Sequence, residues 1–371
     1  AGAAGAASAM VAISRAAREG GVTAAPPAPA HPSDAAAGPQ EALREVSLQA
    51  LCQRAAPACV VHRSLSQGLD SARRLDALEW LVQAFDAMSL PDPQLFSAFG
   101  LLDRYAAAAP QPISAGPGAF ALVLAAMLVA LKVSGTQRDL ERAKKLVVEV
   151  SGSSRPWTSV RKAELSILRR LDFRTGAPTA RDLLDRLVGD TALASGAADW
   201  DAERHARCGD LARFLLELAM VHDAEVVYGC GRPPLCGAVA ALWLAFQAMG
   251  APVACERALR EAVALLPGDC GAAAVAEVAE AMRSRWAAEE RKIAAGSGSS
   301  ATAEKWNRRQ QGELPAAAPS SLGEPESLLP AIAAPAAAPP VPRAAGCGSP
   351  GGGRAAHFLA AIPTPMRRTA V

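Results

Sequence analysis

The sequence predicts an all-α fold: two tandem five-helix bundles flanked by disordered Ala/Pro/Gly-rich tails. Three observations predict it. First, of 371 residues 51% are hydrophobic but only 4% aromatic. Alanine swells the apolar share, and Ala and Leu lose little side-chain freedom in a helix. Second, the apolar period between the tails is helical nearly throughout, so strand content is expected to be close to nil. Third, two segments are apolar on every side, and each stands third in a run of about five helices. Such a helix needs neighbours all round, which a bundle packed about a central helix supplies.

Residues 1–47 read as a disordered tail ending in AAPPAPAHPSDAAAGP and its flank, too poor in large apolar side chains to offset the entropy of ordering. The first bundle is placed at 48–178. Leu75, Leu78, Val82 and Phe85 stripe its first helix, which Pro91 ends. Leu95, Phe99 and Leu102 mark a second, broken by Pro110 and Pro112. The third is the run Pro117 to Leu131, closed by Lys132 with Gly135 as C-cap. The fourth covers Arg138 to Val150. A fifth starts after Pro156, capped by Thr158 or Ser159, with the face Val160, Leu165, Leu168 and Leu171.

The second bundle is placed at 179–292 and repeats the plan. Thr179 caps TARDLLDRLV, and Leu211, Phe214, Leu215 and Leu218 stripe a helix ending near His222. Pro233-Pro234 open the second all-round apolar helix, LCGAVAALWLAF. A short helix follows near Cys255 to Leu265, and Val275, Val278, Met282 and Trp286 mark the last. Residues 293–371 return to GSGSS, PAAAPAAAPP and GSPGGG and read as a second disordered tail.

Composition excludes several classes. With 38 basic and 36 acidic side chains, bulk electrostatic binding of nucleic acid is not expected. Eight cysteines without a C-x-x-C pair point away from a disulfide scaffold or a zinc site and toward a reducing compartment. The apolar run to Leu131 is shorter than the ~20 residues that span a bilayer, so no membrane segment is expected. The opening AGAAGAASAM, without an initiator methionine, reads as that of a fragment or of an incomplete gene model and makes a poor secretory signal. The five histidines are scattered, and no phosphate-binding glycine loop or nucleophile motif is present. His205 and Cys208 share a helical face, a weak metal pair with no second pair beside it. No catalytic constellation, cofactor or metal is expected, and the chain reads as a non-enzyme.

Four charged residues stand at awkward places: Arg74 at the start of an inward-turned helix, Asp103 after two leucines, Lys132 at the end of an apolar helix, and Glu164 mid-helix. The plain explanation of Lys132 is a cation serving a helix C-terminus, for up to ~1 kcal/mol, and that of Glu164 a solvated side chain one turn from Lys162 or Arg161. The segments that carry them are RLDALEWL, LLDRY, MLVALKV and AELSILRRLDFRTGAPT. In that order they resemble the cyclin box, and Leu211 to Phe246 resembles the second fold of a two-box cyclin. The resemblance covers roughly residues 48–290.

The resemblance implies a partner: a cyclin-dependent protein kinase, bound as a heterodimer and activated without chemistry by the cyclin itself, in cell-cycle control, in the nucleus, the cytoplasm or both. It implies that Arg74 and Asp103 form a buried structural ion pair. It implies that Lys132 and Glu164 present hydrogen bonds to the kinase, with Val129, Val133, Leu168 and Phe173 as the apolar ground around them. Departures from the family pattern are plain. Ala121 stands where a leucine is usual. Arg73, Asp76 and Ala77 replace apolar members of the Arg-x-Leu docking patch, where Trp80 is kept, so docking of that kind is expected to be weak or absent. After Lys132 come Val133, Ser134 and Gly135, where the family often has an aromatic and two acids. In the C-terminal tail, Ser349-Pro350 and Thr364-Pro365 fit proline-directed phosphorylation. Rival readings are a degenerate cyclin fold without kinase activation, a tetratricopeptide-like scaffold suggested by ALREAVALLPGDCGAAAVAEVAEAMR, and a tandem-cyclin-fold transcription factor, which would want an N-terminal zinc ribbon.

Overall fold

The computed structural model describes residues 47–309 apart from 61, 114–116, 152–155, 195–201, 230 and 252. Among the described residues there are fourteen α-helices, two short 3-10 turns and no strand. Two helices precede the first expected one: α1 (Leu48–Ala55), capped by the Ser47 side chain, and α2 (His62–Gly68). The first bundle proper is α3 (Ser71–Ala87), α4 (Asp92–Ala107), α5 (Pro117–Ser134), α6 (Gln137–Ser151) and α7 (Pro156–Arg170). Asp70 starts α3 by accepting the Arg73 N–H at 3.0 Å, satisfying one of the donors a helix start leaves open. Thr136 and Asp139 start α6 with reciprocal side chain-to-backbone bonds at 3.2 Å.

Helix α5 is the hub of this bundle, packed on α3, α4, α6 and α7. Leu124, Ala125, Ala126 and Met127 in its middle are all buried. The small residues let four neighbours approach at once, which is why the segment is apolar on every side. Where α2 crosses α4 the fit needs a glycine: a Cβ on Gly68 would lie 1.9 Å from the Ala106 carbonyl oxygen. Backbone cannot retreat that far without moving a helix.

The second bundle repeats the plan with α8 (Ala180–Ala194), α9 (Ala202–His222), the one-turn α10 (Ala224–Tyr228), α11 (Pro234–Met249), α12 (Val253–Val263) and α13 (Ala272–Ala294). Thr179 caps α8 as expected: its hydroxyl takes the Asp182 N–H at 3.2 Å while Asp182 takes the Thr179 N–H at 2.7 Å. Here α11 is the hub, touching α8, α9, α12 and α13. Gly250 closes α11 in the left-handed conformation, φ +65°. A hub with four neighbours is unlike a solenoid, in which each repeat touches only the next; this rules against the tetratricopeptide reading.

Three details differ from expectation. Leu165 is 42% exposed; Val160, Ile167 and Leu171 form the buried face of α7 instead. Starting α7 at Pro156 rather than after it leaves the phase unchanged, so the error lay in choosing Leu165 over Ile167. Leu75 is only half-buried at the edge of the α3 face. The third correction is larger. The boundary at 292 cuts through α13, and residues 301–309, assigned to the disordered tail, form α14 (Ala301–Arg309), docked on α3 and α9. Charge and one buried aromatic, Trp306, hold it rather than any apolar period. Lys305 is fully buried, its ammonium 2.6 Å from Glu217 and 3.0 Å from Asp92. The Trp306 N–H donates to Glu217 at 3.1 Å, and Arg308 and Arg309 reach Asp86 and Asp92 at 2.6 Å. The expected N-terminal tail up to residue 46, and residues 310–371, lie outside the described residues.

Candidate functional site

Lys132 is the first exposed residue after a long buried stretch of α5, and Glu164 lies in the middle of α7. The packing of α5 on α7 brings the two together. The Lys132 ammonium donates to Glu164 Oε1 at 2.5 Å. The pair is at the surface, with side-chain exposures of 45% for Lys132 and 12% for Glu164. A Lys has three N–H donors, and in the free protein one of them is engaged here.

The apolar ground around this pair is only partly as expected. Val133 is 52% exposed and Phe173 is 65% exposed, both on the solvent side. Leu168 is half-buried against the core. Val129 is a correction: it is 3% exposed and belongs to the interior, because a central helix presents no open face until its last turn. Phe173 is placed by an unusual turn. Asp172 and Phe173 both take positive φ, 52° and 57°, a conformation that costs an L-residue roughly 1–2 kcal/mol. The Phe173 N–H bonds the Leu168 carbonyl at 2.8 Å and the chain folds back at the end of α7, leaving the ring in water. An exposed aromatic on a positive-φ turn at the end of a helix is a feature no periodicity signals.

Arg74 and Asp103 do pair, and they do more than join α3 to α4. Two parallel bonds of 2.8 Å link them. Arg74 also donates to the carbonyls of Met220 and Val221, at 2.7 and 3.1 Å, at the C-terminal end of α9. The Tyr228 hydroxyl donates to Asp103 at 2.7 Å. Burial works against the Arg74 charge, but the Asp103 carboxylate outweighs it, and the guanidinium pKa is raised. Burial likewise pushes the Tyr228 hydroxyl well up, with the Asp103 charge adding to it. The network therefore spans both bundles, with every charge satisfied.

Elsewhere the expected sites fare unevenly. On the would-be docking patch, Arg73 donates to the Ile113 carbonyl at 3.2 Å, and Trp80 is buried edge-on against Phe120 at 5.1 Å. Burial, then the Asp70 charge, raises the Asp76 carboxyl pKa. His205 Nε2 sits 2.8 Å from the Val188 carbonyl, and among the described residues no group of three metal-ligating side chains occurs. No helix among them is long and apolar enough to cross a membrane. Ser349 and Thr364 lie outside the described residues. What the sequence missed is the second ionic cluster at Lys305; a basic AEKWNRR following GSGSS was its only signal.

Residues 47–176, from the cap of α1 to just past α7, match the family model of the cyclin N-terminal domain. No curated protein matches the chain.

Proposed function

We propose that this chain, a cyclin-family protein through its residues 47–176, is a regulatory subunit that binds and activates a cyclin-dependent serine/threonine kinase in cell-cycle control, in the nucleus or cytoplasm. The observation that carries the proposal is the Lys132–Glu164 pair, held at 2.5 Å at the surface, with Val133 next to Lys132 and Phe173 past the end of α7 both exposed. As a device for stability such a pair is worth little. Exposed ion pairs contribute about 0–1 kcal/mol. Its value lies in geometry: a cation and an anion fixed on two helices, able to hydrogen-bond a partner's backbone and side chains in one register.

A protein kinase is competent only when the Glu of its C-helix pairs with the strand-three Lys that holds ATP phosphates. A cyclin that binds the inward position of that helix selects the competent state. The shift it produces is set by its difference in affinity for the two kinase states, with about 5.5 kcal/mol needed to invert a 1:99 population. In this chain Lys132 and Glu164 fix register, and Val133, Leu168 and Phe173 supply apolar area. Val129 has no part in it.

The test is capture of purified cyclin-dependent kinases by the whole chain and by Lys132→Ala/Glu164→Ala. The double variant is expected to lose capture and kinase activation while its circular dichroism stays helical. Failure of the unaltered chain to capture any of these kinases would leave two helical bundles of the cyclin type with another role.

A further inference from the structure

The charge balance of the chain hides a strong local excess. Between Lys132 and Arg174 there are eleven basic and five acidic side chains, although the whole chain has 38 and 36. The excess is displayed on α7. Lys162, Leu165, Ser166, Arg169 and Arg170 line one open hollow on its outer side. They recur at helical spacings of three and four, so they form a single stripe. Its inner edge is fixed: Arg170 lies over the Tyr105 ring at 4.5 Å, and the Tyr105 hydroxyl is 2.9 Å from Ser166 Oγ. Its outer cations are not neutralised. Arg161, Lys162 and Arg169 form no ion pair among the described residues. Leu165, the residue misplaced by the core pattern, sits among them, 42% exposed.

The stripe is continuous with the clamp. At 100° per residue, Arg161 and Leu165 lie beside Glu164 and Leu168, with the buried face of Val160, Ile167 and Leu171 turned away. Unpaired like charges around an exposed leucine repel one another in the free protein, and that repulsion is relieved when carboxylates meet them. We infer that the outer face of α7 is the electrostatic half of the partner interface and takes an acidic segment of the kinase, with carboxylates for Arg161, Lys162 and Arg169 and one apolar side chain for Leu165. This rests on the proposal that Lys132 and Glu164 grip a kinase, and it adds a preference: among such kinases, those with an acidic surface next to the mobile helix are bound faster and tighter.

The experiment uses the whole chain, Lys162→Glu/Arg169→Glu and Lys132→Ala/Glu164→Ala. The probes are a fluorescein-labelled Glu/Leu peptide and purified cyclin-dependent kinases. Raising salt from about 50 mM to about 300 mM, which shortens the screening length well below 10 Å, is expected to weaken the peptide at least tenfold. Charge reversal at Lys162 and Arg169 is expected to do the same at low salt; Lys132→Ala/Glu164→Ala, which removes one charge of each sign, is expected to abolish kinase capture while peptide binding keeps its salt dependence. For a kinase that the unaltered chain captures, charge reversal is expected to slow association about tenfold. Equal peptide binding by the unaltered and charge-reversed chains overturns the inference, whatever becomes of kinase capture. So does displacement of the peptide by duplex DNA at lower charge concentration than by unlabelled peptide, which makes the face a nucleic-acid surface. If no kinase is captured by any form, the functional proposal fails, and the peptide measurements still decide what the stripe binds.

Discussion

Replacing Lys305 by methionine keeps the stem and deletes one buried charge. Glu217, fully buried, then loses its bond from the ammonium at 2.6 Å and keeps only the Trp306 N–H at 3.1 Å. Asp92 keeps Arg309 at 2.6 Å. Removing one member of a buried ion pair costs about 3–5 kcal/mol, because the survivor stays desolvated without compensation. The docking of α14 rests on similar energy. Trp306 is its one large apolar side chain, and burying about 150–250 Å² of ring at ~25 cal/mol per Å² is worth at most about 4–6 kcal/mol. With the two figures comparable, α14 should let go before either bundle unfolds. A loss of 3–5 kcal/mol multiplies the opening equilibrium by roughly 10²–10⁴. Amide exchange across 299–309 reads this directly, and a thermal melt reads the remainder. The penalty should also shrink in acid. Burial pushes the Glu217 carboxyl up, and Lys305 pulls it partly back; without Lys305 it rises further. Folded Lys305→Met then binds a proton that the unfolded chain does not, so its stability relative to the unaltered protein recovers as pH falls from 7.5 toward 5. Asp92 adds to this only at lower pH: burial opposes its charge, but Lys305 and Arg309 hold its pKa below the ordinary value, so the stability that this lends the unaltered protein is lost only as pH falls below about 4. Unchanged exchange together with an unchanged melt would refute the reasoning, as would a penalty that grows in acid.

Gly68→Ala should destabilise by at least ~1–3 kcal/mol, since the new Cβ meets the Ala106 carbonyl rather than a movable side chain; chemical denaturation measures it. Arg74→Ala should cost about 3–5 kcal/mol by leaving Asp103 buried and unpaired, and the melt should broaden if the bundles uncouple. Lys132→Ala should shift stability by no more than about 1 kcal/mol, a result that separates its proposed binding role from a structural one. His222 is buried and its pKa is pushed down to about 4 by burial, with the Arg285 charge adding. The unfolded chain therefore binds its proton first, and stability falls as pH drops from 6.5 toward 4, by up to about 3 kcal/mol. A comparison of acid melts for the unaltered protein and His222→Gln isolates that share from the carboxylates nearby.

How much of this was legible depended on the kind of signal. The hub helices were plain, since Pro117 to Leu131 and Leu235 to Phe246 are apolar whichever way they are turned. The Thr179 cap was plain because Thr and Asp three apart have a local meaning. Leu165 against Ile167 was not, because a one-sided stripe of leucines fits two phases and only the neighbours decide. The burial of Val129 is illegible for a related reason: nearness in sequence to Lys132 says nothing about which residues a central helix hides. The α14 helix was invisible to periodicity, as Ala301–Arg309 has one aromatic and three basic side chains. A buried lysine declares itself only through partners 88 and 213 residues earlier, Glu217 and Asp92.

The charges fall into two kinds, and the division bears on the proposed grip on a moving partner. The buried networks sit on the seam. Arg74 joins α3 and α4 to the end of α9, and Lys305 joins α14 to α4 and α9. In a hydrophobic seam alone, two bundles would slide at little cost, because apolar contact is non-directional. Bidentate and multiply bonded charges allow one relative placement and penalise the rest. The exposed pair sits elsewhere, where α5 meets α7, in water that screens it. There, on the function proposed above, Lys132 and Glu164 would exchange their mutual bond for bonds to a partner at little net cost, because an exposed ion pair is worth only about 0–1 kcal/mol. Loosening the seam should therefore weaken partner binding without touching the clamp. Arg74→Ala, 58 residues from Lys132 in sequence, should slow kinase association in a chain whose Lys132–Glu164 pair is intact, and unchanged association in a variant with a demonstrably broadened melt would show that the clamp works without the second bundle.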